Sequence, residues 1–119
     1  MNNEHILHSV CASVDAHAMA YTAASDAIWD HPEVNFHEDF SAGVIRNLLA
    51  ENDFSITENL GGMPNAFRAE YGSGKPVIGI LGEYDALSGL SQEPGITHPL
   101  PQTTGGCGHG CGHNLLGAG

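Results

Sequence analysis

The last fifteen residues of the chain, "GGCGHGCGHNLLGAG", contain four side chains of the types that bind metal ions. Cys107, His109, Cys111 and His113 are two residues apart throughout, with a glycine in every gap. Thiolates and imidazoles are the usual protein ligands of zinc and similar divalent ions. Structural zinc sites commonly pair their ligands as Cys-x2-Cys and His-x3-His at separated positions, which is not the spacing found here. The segment therefore predicts metal binding, but not an ordinary structural zinc site.

A second group of candidate side chains follows the most apolar stretch of the chain. "PVIGILGEY" predicts a central strand covered on both faces, and Glu83 and Asp85 lie at its end. Open α/β sheets place their sites at such strand ends. Asp85 either acts at a metal site, where a carboxylate binds the metal or accepts the spare imidazole hydrogen of a ligating histidine, or lies in solvent, and spacing alone does not choose between these roles. For Glu83 we favour a position in solvent.

Two helices and two short strands are expected ahead of this strand. Apolar residues at spacings of three, four and seven predict a long helix from Glu4 to Trp29, which Pro32 ends. A second helix is predicted from Phe40 to Leu49. Alternating polar and apolar residues over 54–60 and 67–71 then predict two half-buried strands. The fold class is therefore α/β, with helices ahead of a sheet.

The residues between the central strand and the end of the chain predict a long loop and the start of a helix. The stretch from Leu87 to Gly106 contains several prolines and glycines and shows no useful periodicity. A loop of this length in a compact domain is usually functional. The following "HNLLGAG" predicts the first turn of a third helix.

Composition and charge exclude several classes of protein. The 119 residues contain 3 Lys and Arg against 14 Asp and Glu, a formal net charge of -11, so nucleic acid is an unfavourable partner. No apolar stretch has membrane-spanning length and no signal peptide is recognisable, which predicts a cytoplasmic protein without a membrane partner. Three cysteines cannot form a complete set of disulfides, and we interpret Cys11 as a small core residue of the first helix.

Three segments resemble one family of enzymes. "HPEVNFHEDFSA", "GEYDALSGLSQ" and "GHGCGHNLLGAG" are similar, in this order, to segments of the metal-dependent amidohydrolases and aminoacylases related to hippurate hydrolase, above all to the aminobenzoyl-glutamate hydrolase branch. The resemblance covers roughly residues 27–119. It implies that residues 1–119 are the N-terminal portion of a zinc-peptidase-like catalytic domain with a mixed sheet, truncated before the lid domain and the remaining part of the catalytic domain.

The resemblance also implies roles for individual residues. In this family the Cys and His of the last motif bind a pair of divalent ions, zinc or manganese, which assigns Cys111 and His113 as metal ligands. Asp85 and His109 are expected to orient the site. The glutamate that acts as general base belongs to a later motif, beyond residue 119, so we expect no catalytic residue within this chain and no activity of the chain alone.

The chain departs from the family pattern at several positions. Ser88 replaces the usual proline, Asn65 stands where threonine is common, and Cys107 stands where no thiol is expected. Where dipeptide-cleaving branches have His-x-Asp, this chain reads "EYD", so an imidazole is missing there.

The leading hypothesis is a metal-dependent hydrolase of amide bonds in N-acyl or aminobenzoyl amino acids, active as a complete protein on a small-molecule amide. We expect a homo-oligomer or a pair with a related subunit. One alternative is a small metal-binding module that uses Cys107, His109, Cys111 and His113 together. Another is a non-catalytic interaction subunit that keeps a degenerate hydrolase fold.

Overall fold

The computed structural model describes residues 3–119. Its elements, in chain order, are helix α1 (Asn3–Asp30), helix α2 (Asp39–Ala50), strand β1 (Ser55–Thr57), a 3₁₀ turn (Leu60–Gly62), strand β2 (Arg68–Glu70) and helix α3 (His113–Ala118). This order confirms an α/β chain with two helices followed by a sheet. No described helix combines the length and apolar character that a membrane span requires.

Within residues 3–119, other parts of the chain cover only the C-terminal end of α1. Ala24, Ser25 and Ile28 are buried, and α2 and α3 both contact this helix. Farther towards the N-terminus the apolar side chains are uncovered, and Leu7 is 64% exposed. Cys11 lies on this uncovered part and is exposed, so its interpretation as a core residue is wrong. The apolar periodicity correctly predicts a helix, but burial also requires a neighbouring element.

The "HPE" motif connects α1 to α2 and caps the second helix. Glu33 accepts hydrogen bonds from the backbone N–H groups of Phe40 and Ser41, at 3.0 and 2.8 Å, and from the Ser41 hydroxyl at 2.8 Å. The first N–H groups of a helix have no partner within the helix, and the Glu33 carboxylate accepts hydrogen bonds from two of them. Its negative charge also interacts favourably with the positive end of the helix dipole. Glu33 therefore has a structural role.

A small core joins the helices to the rest of the chain. It consists of the buried residues Ala24, Ile28, Ile45 and Ala118, with half-buried apolar side chains around them. Ala118 belongs to α3, so the core connects the glycine-rich C-terminal segment to α1 and α2.

The two predicted short strands form an antiparallel hairpin. β1 and β2 pair with Ser55 opposite Glu70 and Thr57 opposite Arg68. The central residues Ile56 and Ala69 are half-buried and their neighbours are exposed, as the alternating sequence predicts.

The predicted central strand differs from the expectation. Within the described residues the segment 77–82, termed the extended segment, belongs to no strand. Val77, Ile80 and Leu81 are 86%, 95% and 89% exposed. A central strand needs a neighbouring strand at each edge and a layer on each face. The β1–β2 hairpin, which is the only named sheet in the described part, does not extend to this segment.

Candidate metal centre

Ala86 and Leu87, which follow Asp85, are held by backbone contacts to two different parts of the chain. Ala86 forms a parallel bridge with Val34, in which its N–H donates to the carbonyl of Glu33 at 2.7 Å. Leu87 forms an antiparallel bridge with Gly108, through two hydrogen bonds of 3.0 Å. These bridges hold the residues next to Asp85 between the "HPE" motif and the glycine-rich segment.

Two glycines allow the close contacts around this point. A Cβ atom on Gly108 would lie 1.9 Å from the carbonyl oxygen of Leu90, and one on Gly117 would lie 2.6 Å from that of Glu83. Any side chain at either position would displace the backbone. The glycine-rich composition therefore serves close packing of the backbone, and α3 can lie directly against the end of the extended segment.

Helix α1 supports α3 through two buried polar side chains. The Asn114 amide donates a hydrogen bond to the Ser25 hydroxyl at 3.0 Å, and His109 Nε2 lies 3.1 Å from the carbonyl oxygen of Ile28. Both residues are about 95% buried, with exposures of 5% and 4%. Ser25 and Ile28 are one turn apart on α1, so the two contacts fix the start of α3 relative to that helix.

His113, the first residue of α3, lies between two carboxylates. Its Nδ1 atom is 2.6 Å from Asp85 Oδ1, and its Nε2 atom is 3.4 Å from Glu83 Oε2. One potential ligand atom from each of the three residues lies within 4.8 Å of the other two. An N–H at Nδ1 that donates to Asp85 leaves the lone pair on Nε2, which is the tautomer that binds a metal ion.

The donor set fits a divalent cation. With Asp85 engaged at Nδ1, the Nε2 atom of His113 and the carboxylate of Glu83, 3.4 Å apart, are suitable ligands for zinc and for manganese. The two negative carboxylates repel each other at this separation, and a bound cation would remove that repulsion. Within the described residues this is the one group of three or more such side chains close enough to share an ion.

The four alternating Cys and His residues do not converge on one point. Cys111 is exposed and Cys107 is half-buried, and neither thiol belongs to the group around His113. The ring of His109 contacts the end of α1, with its centroid 6.4 Å from that of Trp29. Burial lowers the pKa of His109 below its usual value of 6.5, the effect outweighing the hydrogen bond to Ile28. In this structure His109 contacts α1, and only His113 of the four joins the carboxylates.

Glu83 is the member of the group that sequence reasoning missed. The sequence favours a solvent position for it, and its side chain is indeed 65% exposed, yet its carboxylate faces His113. The signal was the spacing: residues two apart in an extended chain project to the same side, so Glu83 and Asp85 approach the same imidazole.

Comparisons with known proteins identify similar sequences. No family profile matches the chain. Over 105 residues, which are 88% of the chain, it is 52% identical to a subunit of the p-aminobenzoyl-glutamate hydrolase of Escherichia coli (strain K12). It is also 28% identical over 117 residues to the human Xaa-Arg dipeptidase and 29% identical over 114 residues to the mouse protein, in both cases with 87% of the chain covered. The matched regions are only 22%, 23% and 22% of these relatives, so the chain spans less than a quarter of their length.

Proposed function

We propose that the chain supplies part of the metal centre of an amide-bond hydrolase, a proposal supported by its similarity to a subunit of p-aminobenzoyl-glutamate hydrolase and to Xaa-Arg dipeptidase. The relatives are named for aminobenzoyl-glutamate hydrolysis and for dipeptide cleavage, and both reactions break an amide bond next to an amino acid. For the complete protein we propose N-acyl or aminobenzoyl amino acids as substrates. The observation that carries the proposal is the placement of His113 between Asp85 and Glu83.

The proposed ligands are Cys111 and His113. In the complete enzyme these residues would help to hold two divalent ions, zinc or manganese. The contact of Asp85 with His113 Nδ1 supports this role, because an N–H at Nδ1 that donates to Asp85 would leave the lone pair of Nε2 available to an ion. Cys111 lies two residues before His113 with an exposed thiol, so that an ion can reach the sulfur. His109 supports the site by fixing the glycine-rich segment on α1.

The proposed reaction needs both metal ions and protein side chains. When bound, divalent ions would supply an acidified water molecule as nucleophile and would polarise the substrate carbonyl. This chain would bind them through His113 and Cys111, while Asp85 keeps the imidazole in one tautomer. The base that accepts the proton of the water is proposed to be a glutamate beyond residue 119. Residues 1–119 alone are therefore proposed to bind metal without hydrolysing amides.

We also propose that the protein acts in the cytoplasm as a homo-oligomer or together with a related subunit. The name of the Escherichia coli relative, which includes the word subunit, supports this proposal. The large negative charge makes nucleic acid an unfavourable partner.

The two alternative functions predict different results. A four-ligand metal module would need His109 as a ligand, whereas its ring is buried against α1. A non-catalytic interaction subunit would need no metal at all.

Titration of the purified chain with zinc and with manganese, followed by an assay with p-aminobenzoyl-glutamate, tests the proposal. We expect metal binding that depends on His113 and no hydrolysis. Absence of metal binding would favour the interaction subunit. Dependence on both Cys107 and His109 would favour the four-ligand module, and turnover that is lost in Cys111→Ala would show that the base lies within this chain.

A further inference from the structure

Tyr84 lies between Glu83 and Asp85, and its side chain contacts other parts of the chain than theirs do. Glu83 Oε2 lies 3.4 Å from Nε2 of His113, and Asp85 Oδ1 lies 2.6 Å from Nδ1 of the same ring. The hydroxyl of Tyr84 instead donates a hydrogen bond to the backbone carbonyl of Asn65. In an extended chain successive side chains project to opposite sides, so a fixed side chain at position 84 also directs its two neighbours.

The ring of Tyr84 is held by apolar contacts. It stacks on the ring of Phe67, with a centroid distance of 6.4 Å and an interplanar angle of 10°. Both rings are half-buried and pack against the small core, which includes Ile28 and Ala118. Ala118 belongs to α3, the helix that begins with His113. The core therefore contacts both Tyr84 and the helix that carries the imidazole.

The acceptor of the Tyr84 hydroxyl is itself fixed. Asn65 lies in a turn that is closed by a hydrogen bond of 3.1 Å from the Ala66 N–H to the carbonyl of Met63. Its side-chain amide donates to Oε2 of Glu38 at 3.2 Å. Glu38 is only 8% exposed and directly precedes α2. The Tyr84 hydroxyl is therefore attached to a turn that is bonded to the start of α2.

Glu83 depends on this attachment more than Asp85 does. Within residues 3–119, the first backbone hydrogen bond after the extended segment is made by Ala86, at 2.7 Å to the carbonyl of Glu33. Asp85 directly precedes Ala86, whereas Glu83 is farther away and its side chain is 65% exposed. The negative charges of the two carboxylates repel each other. Without Tyr84, the Glu83 carboxylate would move away from the imidazole.

We propose that Tyr84 is a positioning residue of the candidate metal centre, whose side chain keeps the Glu83 carboxylate at the His113 imidazole. Tyr84 acts through its neighbour and does not itself bind an ion. The inference rests on the proposed function, in which a divalent ion binds at His113.

Zinc titration of two Tyr→Phe variants tests the inference. Tyr84→Phe removes the hydroxyl and keeps the ring that stacks on Phe67. It should weaken zinc binding about fivefold, within the range expected for the loss of one hydrogen bond. Tyr71→Phe removes the hydroxyl of a tyrosine that is 71% exposed, and it should leave the affinity unchanged. Equal zinc affinities of Tyr84→Phe and the unaltered chain would overturn the inference.

A second background separates positioning from a general support of the fold. Glu83→Ala removes the carboxylate on which Tyr84 is proposed to act. In that background Tyr84→Phe should cause no further loss of zinc affinity, because the two substitutions affect one interaction. The same fivefold loss in both backgrounds would mean that Tyr84 supports the fold in general, and it would overturn the inference.

Asn65→Ala provides a variant that keeps both the ring and the hydroxyl of Tyr84. It removes the hydrogen bond to Glu38 that fixes the acceptor turn. Zinc binding should weaken about twofold, a part of the value of one hydrogen bond, and only while Glu83 is present. An unaltered zinc affinity in Asn65→Ala would also overturn the inference.

Nuclear Overhauser contacts in the metal-free chain separate this inference from the proposed function. The contact between the His113 ring and the Glu83 side chain should be present in the unaltered chain and in Tyr71→Phe, and it should be weaker in Tyr84→Phe. A contact that depends on Tyr84 in a chain that does not bind zinc would support the inference and contradict the metal centre. Zinc binding that requires His113 but is equally tight in Tyr84→Phe would leave the metal centre intact and overturn the inference.

Discussion

Two neighbouring stretches of the chain have opposite surroundings. The extended segment exposes most of its apolar surface, with Ile80 95% exposed, whereas Ala86, a few residues later, is 3% exposed and paired with Val34. The second stretch is held by backbone contacts to Glu33 and, through Leu87, to Gly108, all within this chain. The first requires strands and helices that the described residues do not provide. Backbone hydrogen bonds within the chain therefore hold the candidate metal centre together, although the extended segment forms no sheet in the described residues.

The difference is sharpest for two isoleucines, Ile28 and Ile80. Ile28 is fully buried in the small core, so Ile28→Ala should lower the free energy of unfolding by about 2–5 kcal/mol. Ile80→Ala removes the same atoms from an exposed position, and its effect should stay within about 0.5 kcal/mol. Urea denaturation followed by circular dichroism measures both values. Equal losses of stability would mean that the extended segment is covered in solution.

Metal binding next to Ala86 and Leu87 should depend on the Asp85 carboxylate. Asp85→Asn removes the charge that holds His113 Nδ1, and loss of such an orienting partner typically weakens metal binding by about 10–100-fold. Isothermal titration with zinc measures the change. As a control, Asp15→Asn changes the net charge by the same amount as Asp85→Asn, but at an exposed position of α1, and it should leave the affinity for zinc unchanged. A similar loss in both variants would attribute the effect to net charge instead of to His113.

The supporting contact between His109 and α1 should respond to pH. Burial lowers the pKa of His109 in the folded chain, so folding favours the neutral ring. The unfolded chain therefore binds more protons below the usual value of 6.5, and this contribution to stability is present above that pH and decreases as the pH falls through it. A resonance titration of the His109 ring should show a lower midpoint in the folded chain than in concentrated urea. Identical midpoints would contradict the burial of this ring in solution.

Much of the local structure could be predicted from the sequence. The two long helices, the β1–β2 hairpin and the start of α3 follow from periodicity, from Pro32 and from the turn residues between the strands. Asp85 is recognisable because it follows an apolar strand-like segment, and the structure places it against His113. These features depend on neighbours in the chain or on short backbone contacts, and the sequence pattern contains that information.

The features that were missed depend on what packs against each element. The exposure of Cys11 and of the extended segment could not be read from apolar patterns, because such patterns predict which face seeks a partner and not whether one is present. The approach of Glu83 to His113 depends on α3, which can lie close only because Gly117 has no side chain. The contact of His109 with α1 joins residues 81 positions apart.

We propose that His113, held by Asp85 and facing Glu83, binds a divalent ion. Zinc titration of the chain and of His113→Ala tests it, with His8→Ala as the control because His8 is an exposed imidazole on α1. We expect a decrease in affinity of at least about 100-fold for His113→Ala, since loss of a ligand exceeds the effect of losing its orienting partner, and no change for His8→Ala. Zinc binding that is equally tight in His113→Ala and in the unaltered chain would contradict the claim.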